Sequence, residues 1–137
     1  MMLFKKSVPV KTNGLNDFVN ITGRVEEAVK ESKIKNGMVF VNSLHNTAAL
    51  IIQEDDASIR KDLASMLERI APKDGKYSHD YEGSVNAAAH LKSNLLGSRV
   101  SAPLENGKMI LGTWQQIFFV EFFEPRERKV IVTVIGD

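Results

Sequence analysis

The chain contains no cysteine, and this absence excludes several kinds of chemistry. Disulfide bonds, thiolate-bound metals and thiol nucleophiles all require cysteine. The sequence also lacks a glycine-rich phosphate loop of the Walker or dinucleotide type and a serine nucleophile elbow. Histidine, carboxylate and arginine side chains are therefore the first candidates for a functional site.

Long hydrophobic runs are missing as well. Apolar stretches such as residues 117–120 are far shorter than the roughly 20 residues that a transmembrane helix needs. Near the N-terminus, a short apolar start is followed at once by Lys5 and Lys6, which predicts neither a secretory signal nor a membrane span. We therefore expect a cytoplasmic protein that does not associate with membranes.

A strong excess of either charge is also absent, because 18 Lys and Arg residues face 17 Asp and Glu residues. Such a balance gives no indication of a basic face for nucleic acid, and we expect no nucleic-acid partner. The length of 137 residues and the hydrophobic content of 43% are typical of one globular domain. No linker or internal repeat divides the chain, so we expect a single domain over residues 1–137.

The hydrophobic periodicity predicts an α+β fold with mixed or antiparallel sheets, about three helices and a C-terminal β meander. The clearest helix is 57–70, where apolar residues follow the 3.6-residue period. Thr22 and Ser84 are predicted to cap the other two helices, and Asn106-Gly107 predicts a hairpin turn. The predicted helices are 24–33, 57–70 and 85–96, and the predicted strands are 3–11, 18–21, 38–44, 47–53, 99–104, 109–111, 115–124 and 128–135.

The three histidines are the strongest candidates for chemistry. His45 lies at a predicted strand end, His79 in a long polar loop, and His90 on the third helix, where it shares one face with Asn86 and Asn94. Three imidazoles with an open fourth position form a known catalytic zinc arrangement. The alternative is three unrelated histidines, since no short spacing links them.

Glu121 lies among aromatic residues on a predicted strand. If this carboxylate is buried, it is suited to act as a general acid or base. If it is exposed, it is a gatekeeping charge that keeps the strand soluble. Trp114 is interpreted either as a core residue or as a stacking wall for a flat ligand. Arg126 and Arg128 flank a turn and could bind phosphate or simply face solvent.

Several ordered motifs resemble the YjbQ-like family, whose members are also described as secondary thiamine-phosphate synthase-type proteins. The matching segments are FVNITGRVEEAV, GMVFVNSLHNTAALIIQE, KYSHDYEGSVNAAAHLKSNLLG, ENGKMILGTWQQIFFVEFFEPRERKV and VIGD. Within them, H-x-TA, YxH, NAxxH, LGTWQ and PRxR occur in this order. One departure is His45-Asn46-Thr47, where the family more often has His-Thr-Thr.

The resemblance implies a compact homotrimeric fold, a small phosphorylated ligand and a site where the histidines converge, with zinc or magnesium as a cofactor. It implies an enzyme that couples a hydroxymethylpyrimidine diphosphate to a thiazole phosphate. The alternatives are a metal-assisted hydrolase of a phosphorylated metabolite, or a binding protein without catalysis. Carried over by motif, the catalytic residues are His45, His79, His90 and Glu121, with the three histidines as metal ligands. The expected ligand-binding residues are Thr47, Asn86, Gly112, Trp114, Gln115, Arg126 and Arg128.

Overall fold

The computed structural model describes residues 1–137 and contains eight β-strands and three α-helices. This architecture confirms the predicted α+β class. The helices are α1 (Thr22–Ser32), α2 (Ala57–Ile70) and α3 (Ser84–Leu96). The strands are β1 (Met2–Lys11), β2 (Asp17–Asn20), β3 (Gly37–Ser43), β4 (Ala48–Glu54), β5 (Arg99–Glu105), β6 (Lys108–Met109), β7 (Gln115–Glu121) and β8 (Glu127–Gly136).

The larger sheet has five strands in the order β1-β8-β3-β5-β6, and every pairing is antiparallel. Strands β1 and β8, the first and last strands in the chain, pair along their whole length, from Met2 opposite Gly136 to Lys11 opposite Glu127. The predicted Asn106-Gly107 turn joins β5 to β6, and both residues have the positive φ angles of such a turn (52° and 79°).

The smaller sheet has three strands in the order β2-β7-β4, with β7 in the middle. Alternate side chains of β7 point to opposite faces, and both faces are buried. Ile117 and Phe119 join the main core with valines of the larger sheet and with α1. Phe118 and Val120 join a second core with residues from α2 and α3. The two sheets therefore enclose one core, and two helices cover the outside of the smaller sheet.

Two of the three helix starts differ from the predicted caps. Asp56 caps α2, because its Oδ1 accepts hydrogen bonds from Ser58 N at 2.6 Å and Ile59 N at 3.3 Å. Thr22 and Ser84 lie inside their helices and cap neither. The Thr22 hydroxyl instead accepts a hydrogen bond from Ile117 N, and Ser84 donates to Lys73 O. Both hydroxyls therefore form hydrogen bonds with other segments of the chain and do not cap their own helices.

The apolar stripe predicted for α2 is only partly covered by the rest of the chain. Leu67 is fully buried, whereas Met66 is 39% exposed and Ile70 is 60% exposed. None of the three helices combines the length and the apolar character that crossing a bilayer requires.

Strand β7 ends at Glu121 rather than continuing to residue 124 as predicted. The chain leaves the sheet there, although Phe122 N still donates a hydrogen bond to Thr47 O. Residues 122–126 form a connection that returns to β8. The ends of β3 and β7 and the starts of β4 and β8 thereby come together at one end of the sandwich, beside the first turns of α3.

Candidate functional site

The floor of the site is a buried ion pair between Glu121 and Arg128. The Glu121 carboxylate is 0% exposed, and the Arg128 side chain is 5% exposed. Arg128 Nε donates to Oε1 at 2.7 Å, and Nη2 donates to Oε2 at 2.6 Å. This two-point geometry is the strongest form of an arginine–carboxylate contact. A gatekeeping charge would face solvent, so that interpretation of Glu121 is wrong.

Two threonines complete the hydrogen bonding of this pair. Thr12, directly after β1, donates a hydrogen bond from its hydroxyl to Glu121 Oε1 at 2.7 Å. Thr47 Oγ1 accepts a hydrogen bond from Arg128 Nη2 at 2.8 Å. The backbone N–H of Phe123 adds a further bond to Glu121 Oε2 at 3.1 Å. Both carboxylate oxygens therefore have partners, and the geometry favours a positioning role for Glu121 over proton transfer.

His45 lies in the connection between β3 and β4, directly above this floor. Its Nε2 accepts a hydrogen bond from Lys129 N at 3.0 Å, which requires an unprotonated Nε2. The ring meets Phe119 edge-on, with 6.3 Å between centroids. Burial lowers the pKa of His45 below its usual value of 6.5, and the positive charge of Arg128 lowers it further. The fold therefore holds a neutral imidazole here, with its proton on Nδ1, and this N–H is left to donate a hydrogen bond to a ligand.

Helix α3 supplies the opposite side of the site. Asn86 and His90, one turn apart, face the His45 loop. Asn86 is 3% exposed, and its Oδ1 is buried without a hydrogen-bond partner. The exposed ring of His79 packs against His90 with 4.6 Å between centroids, but it does not line the cleft beside His45. The structure therefore brings His45 and His90 to one cleft and places His79 behind His90.

These groups line a cleft of about 300 Å³, which we call the arginine lobe. Its volume suits a small metabolite. Of the predicted site residues, it collects His45, Thr47, Asn86, His90, Arg126 and Arg128. Its other lining residues are Leu44, Asn46, Glu82 and Phe123.

The two arginines of this lobe differ in how available they are. Arg126 lies at the rim with 42% of its side chain exposed, paired with Glu124 at 2.6 Å and placed over the Phe123 ring. Exposed ion pairs of this kind contribute little, so an incoming anion can replace Glu124. Arg128 is held by the floor, and only its Nη1 has no protein partner. Arg126 is therefore the cation of the lobe that is most available to a ligand.

The three histidines predicted as metal ligands are not arranged to coordinate one ion in this structure. No group of three or more His, Asp or Glu side chains in the chain is close enough together to hold a metal ion. His45 already uses Nε2 for Lys129, and His79 and His90 contact each other away from it. We therefore derive no chemical step through a metal, and the three-histidine metal site stays a prediction.

Comparison with known proteins extends over nearly all of the sequence. Residues 6–137 match the family model described as UPF0047 protein YjbQ-like. The chain belongs to the YjbQ/UPF0047 family. A UPF0047 protein from Methanocaldococcus jannaschii is 41% identical over 137 residues, covering 99% of this chain and 96% of that protein. YugU from Bacillus subtilis is 34% identical over 132 residues, covering 96% of this chain and 98% of that protein.

Solved structures of the YjbQ/UPF0047 family confirm the fold. A YbjQ-like protein of unknown function from Sulfolobus solfataricus is similar with a TM-score of 0.93 at 30% identity, and the match covers 99% of both chains. A family member from Clostridium acetobutylicum has a TM-score of 0.88 at 41% identity, covering 95% of this chain and 99% of that one. The comparisons give a family and a fold, and none of these descriptions names an activity.

The LGTWQ motif of the family lies elsewhere in this chain. Gly112, Trp114 and Gln115 form a turn before β7, with Gly112 N donating to Gln115 Oε1 at 2.8 Å. This turn lies at the opposite end of β7 from Glu121, roughly 20 Å away at the usual rise per strand residue. Trp114 is 72% exposed, which rules out a core role within one chain. The structure does not bring these residues to the arginine lobe of the same chain.

Sequence reasoning missed several residues around the YjbQ-like site. Thr12 was not predicted, because no local pattern connects β1 with a carboxylate 109 positions away. Ser93 and Ser98 line the cleft on the far side of His90. Ser93 could have been found, since it lies one turn after His90 beside the polar stripe of α3.

Proposed function

We propose that this protein is an enzyme that binds a small phosphorylated metabolite in the arginine lobe. The observation that carries this proposal is that a single cleft collects two imidazoles, two arginines, a threonine and a buried amide. Cationic and hydrogen-bonding groups at this density are suited to phosphate, and imidazoles are suited to proton transfer near neutral pH.

Phosphate binding is assigned to Arg126 and to Nη1 of Arg128. Arg126 can turn from Glu124 to a ligand at little cost, because both partners are about half exposed. Arg128 is fixed by Glu121 and Thr47, so its remaining N–H groups are held in place before a ligand arrives. Donors positioned in advance stabilise developing negative charge more effectively than mobile ones do.

Proton transfer is assigned to His90 and hydrogen-bond donation to His45, and both residues line the lobe. His45 is kept neutral by burial and by the Arg128 charge. Because its Nε2 accepts a hydrogen bond from Lys129 N, its proton is on Nδ1, which donates a hydrogen bond to the ligand. Glu82, also in the lining, carries the lobe's remaining carboxylate. We assign Glu121 to positioning, since its oxygens are occupied by Arg128, Thr12 and Phe123 N.

The specific reaction that we propose is the coupling of a hydroxymethylpyrimidine diphosphate to a thiazole phosphate. The thiazole nitrogen forms a bond to the methylene carbon, the C–O bond to the diphosphate breaks, and the electron pair leaves with pyrophosphate. The arginines would stabilise that charge as it develops. The two substrates are those that the family resemblance implies, and the cations of the arginine lobe support the binding of their phosphate groups.

The test is to incubate purified protein with both substrates and to measure thiamine phosphate by chromatography. We expect product with the wild type and at least a tenfold lower rate in Arg126→Ala and His45→Ala. Arg69→Ala is the matched control, because Arg69 is exposed on α2 and its side chain donates a hydrogen bond to Ser65, outside the lobe. No product from wild-type protein supplied with zinc or magnesium would overturn the specific reaction. Failure of pyrophosphate to bind would overturn phosphate recognition itself.

Metal binding is a separate proposal, supported by the contact between the His79 and His90 rings. Plasma mass spectrometry of tag-free protein would measure it, with His45→Ala, His79→Ala and His90→Ala alongside. About one ion per chain that is lost in each variant would establish a three-histidine site. Retention of the metal in His45→Ala would restrict the ligands to the other two rings.

The homotrimer is also proposed, and it would give Trp114 a role. The exposed Trp114 and Ile110 (53% exposed) lie far from the chain's own cleft, so they could approach a cleft only in another subunit. Light scattering on the wild type and on Trp114→Ala tests this arrangement. A monomeric wild type would contradict it.

A further inference from the structure

The cleft continues past His45 and His90 into a second lobe with different chemistry. This space of about 400 Å³ is lined by His45, Asn46, Ala48, His90, Leu91, Ser93, Asn94, Gly97 and Ser98, and we call it the serine lobe. It contains no Asp, Glu, Lys or Arg, whereas the arginine lobe contains two arginines and a glutamate. Its polar groups beyond the histidines are neutral amides and hydroxyls. A charged group would therefore find no counter-ion there.

Each lobe contains a buried polar atom that lacks a hydrogen-bond partner. Asn86 Oδ1 lies beside the arginine lobe and Ser93 Oγ beside the serine lobe, and the two residues are 3% and 7% exposed. Buried polar side chains are nearly always hydrogen-bonded, because leaving one without a partner costs about 1–3 kcal/mol. Asn16 Oδ1 is the remaining unpartnered atom, and Asn16 lines neither lobe. Asn86 Oδ1 and Ser93 Oγ are therefore available to hydrogen-bond a ligand in the two lobes.

His45 and His90 line both lobes, so they lie between the two spaces. A ligand with one half in each lobe would place the bond between its halves against the imidazoles. His45 Nδ1 is the ring nitrogen not engaged by Lys129. This arrangement puts the Nδ1–H donor of His45 and the ring of His90 at the middle of a ligand.

We propose that the serine lobe binds the uncharged half of the substrate, a flat ring or amide whose donor and acceptor are adjacent, while its phosphate occupies the arginine lobe. Ser93 Oγ and the Asn94 amide meet the donor and acceptor of this half, and Asn86 Oδ1 accepts a hydrogen bond near the phosphate-bearing end. This inference rests on the proposed function and narrows its substrate to a phosphorylated compound with a neutral hydrogen-bonding head.

The experiment uses fragments that can fill one lobe each. Inorganic pyrophosphate probes the arginine lobe. Cytosine, nicotinamide and the hydroxymethylpyrimidine alcohol, which is the proposed substrate without its diphosphate, probe the serine lobe at slightly alkaline pH, where all three are uncharged. Amide chemical shifts of the full-length protein are recorded by NMR titration. We expect pyrophosphate to shift Thr47, Arg126 and Arg128, and at least one uncharged fragment to shift Ser93, Asn94 and Ser98.

Two substitutions separate the lobes. Ser93→Ala removes a hydroxyl that has no protein partner, so the fold should not suffer. We expect it to weaken binding of the uncharged fragment by about fivefold, the value of one hydrogen bond, with pyrophosphate binding unchanged. Arg126→Ala should show the reverse pattern.

The outcomes distinguish the two proposals. If pyrophosphate fails to bind the wild-type protein but an uncharged fragment binds in the serine lobe, the phosphate site of the proposed function is overturned and the serine-lobe inference stands. If none of the three uncharged fragments binds at millimolar concentration, the serine-lobe inference is overturned while pyrophosphate binding stands. It is also overturned if Ser93→Ala weakens pyrophosphate and the fragment equally, because a general disturbance of α3 would then explain the effect.

Discussion

The floor and the rim of the cleft each contain an arginine paired with a glutamate, but the two pairs behave differently. On the floor, Arg128 and Glu121 are almost completely buried and are tied to Thr12 and Thr47. At the rim, Arg126 and Glu124 are about half exposed. Burial removes water from the floor pair, so each partner depends on the other, whereas solvent can replace either partner at the rim. The buried pair on the floor therefore stabilises the fold, whereas the exposed pair at the rim leaves its arginine available to a ligand.

The largest contrast should appear when each glutamate is removed. Glu121→Ala leaves the Arg128 charge buried without its partner, and we expect a loss of about 3–5 kcal/mol in the free energy of unfolding. Glu124→Ala, the matched rim control, should change it by less than about 1 kcal/mol. Urea denaturation of both variants measures the difference. Equal effects would refute the distinction between floor and rim.

A smaller loss is expected when the second partner of Arg128 is removed. Thr47→Val keeps the shape of the side chain but leaves a buried N–H of Arg128 without its acceptor. We expect a loss of about 1–3 kcal/mol in the free energy of unfolding. Thr113→Val, in the exposed turn before β7, is a control that should be nearly neutral. An unaltered urea midpoint in Thr47→Val would show that Arg128 does not need this bond.

At the rim, the effect should be on binding rather than on folding. Arg126→Ala should weaken pyrophosphate binding by about tenfold, which corresponds to 1.4 kcal/mol, the range of a charge-assisted hydrogen bond. Its free energy of unfolding should change by less than about 1 kcal/mol. Isothermal titration calorimetry and urea denaturation measure the two quantities. A variant that loses stability but keeps its affinity would reverse the roles that we assign to rim and floor.

The smallest expected effect is the pH dependence contributed by His45. The folded protein lowers the pKa of His45, while in the unfolded chain it titrates near 6.5. Just below that pH the unfolded chain binds more protons, so the free energy of unfolding falls as the pH drops below about 6.5. His45→Gln keeps an acceptor for Lys129 N and should reduce this slope. An unchanged slope in His45→Gln would contradict the assignment.

Local patterns were enough to predict most of the secondary structure. The periodicity of α2 gave both of its ends correctly, because Asp56 caps it locally and its apolar spacing is regular. Prediction failed for the hydroxyls of Thr22 and Ser84, whose partners Ile117 and Lys73 are distant in sequence. It also placed the end of β7 too late, since a run of aromatic residues continues past Glu121 without marking where the chain leaves the sheet.

The sequence by itself determined the α+β class, the family motifs and the residue types available for chemistry, because these depend on composition and on short-range spacing. Only the tertiary structure decided which of them meet. It placed Glu121 under Arg128, His45 and His90 in one cleft, His79 behind them, and Trp114 at the far end of β7. The physical reason is that antiparallel pairing and packing join residues distant in the chain, and the burial that results decides which charges are neutralised and which remain free for a ligand.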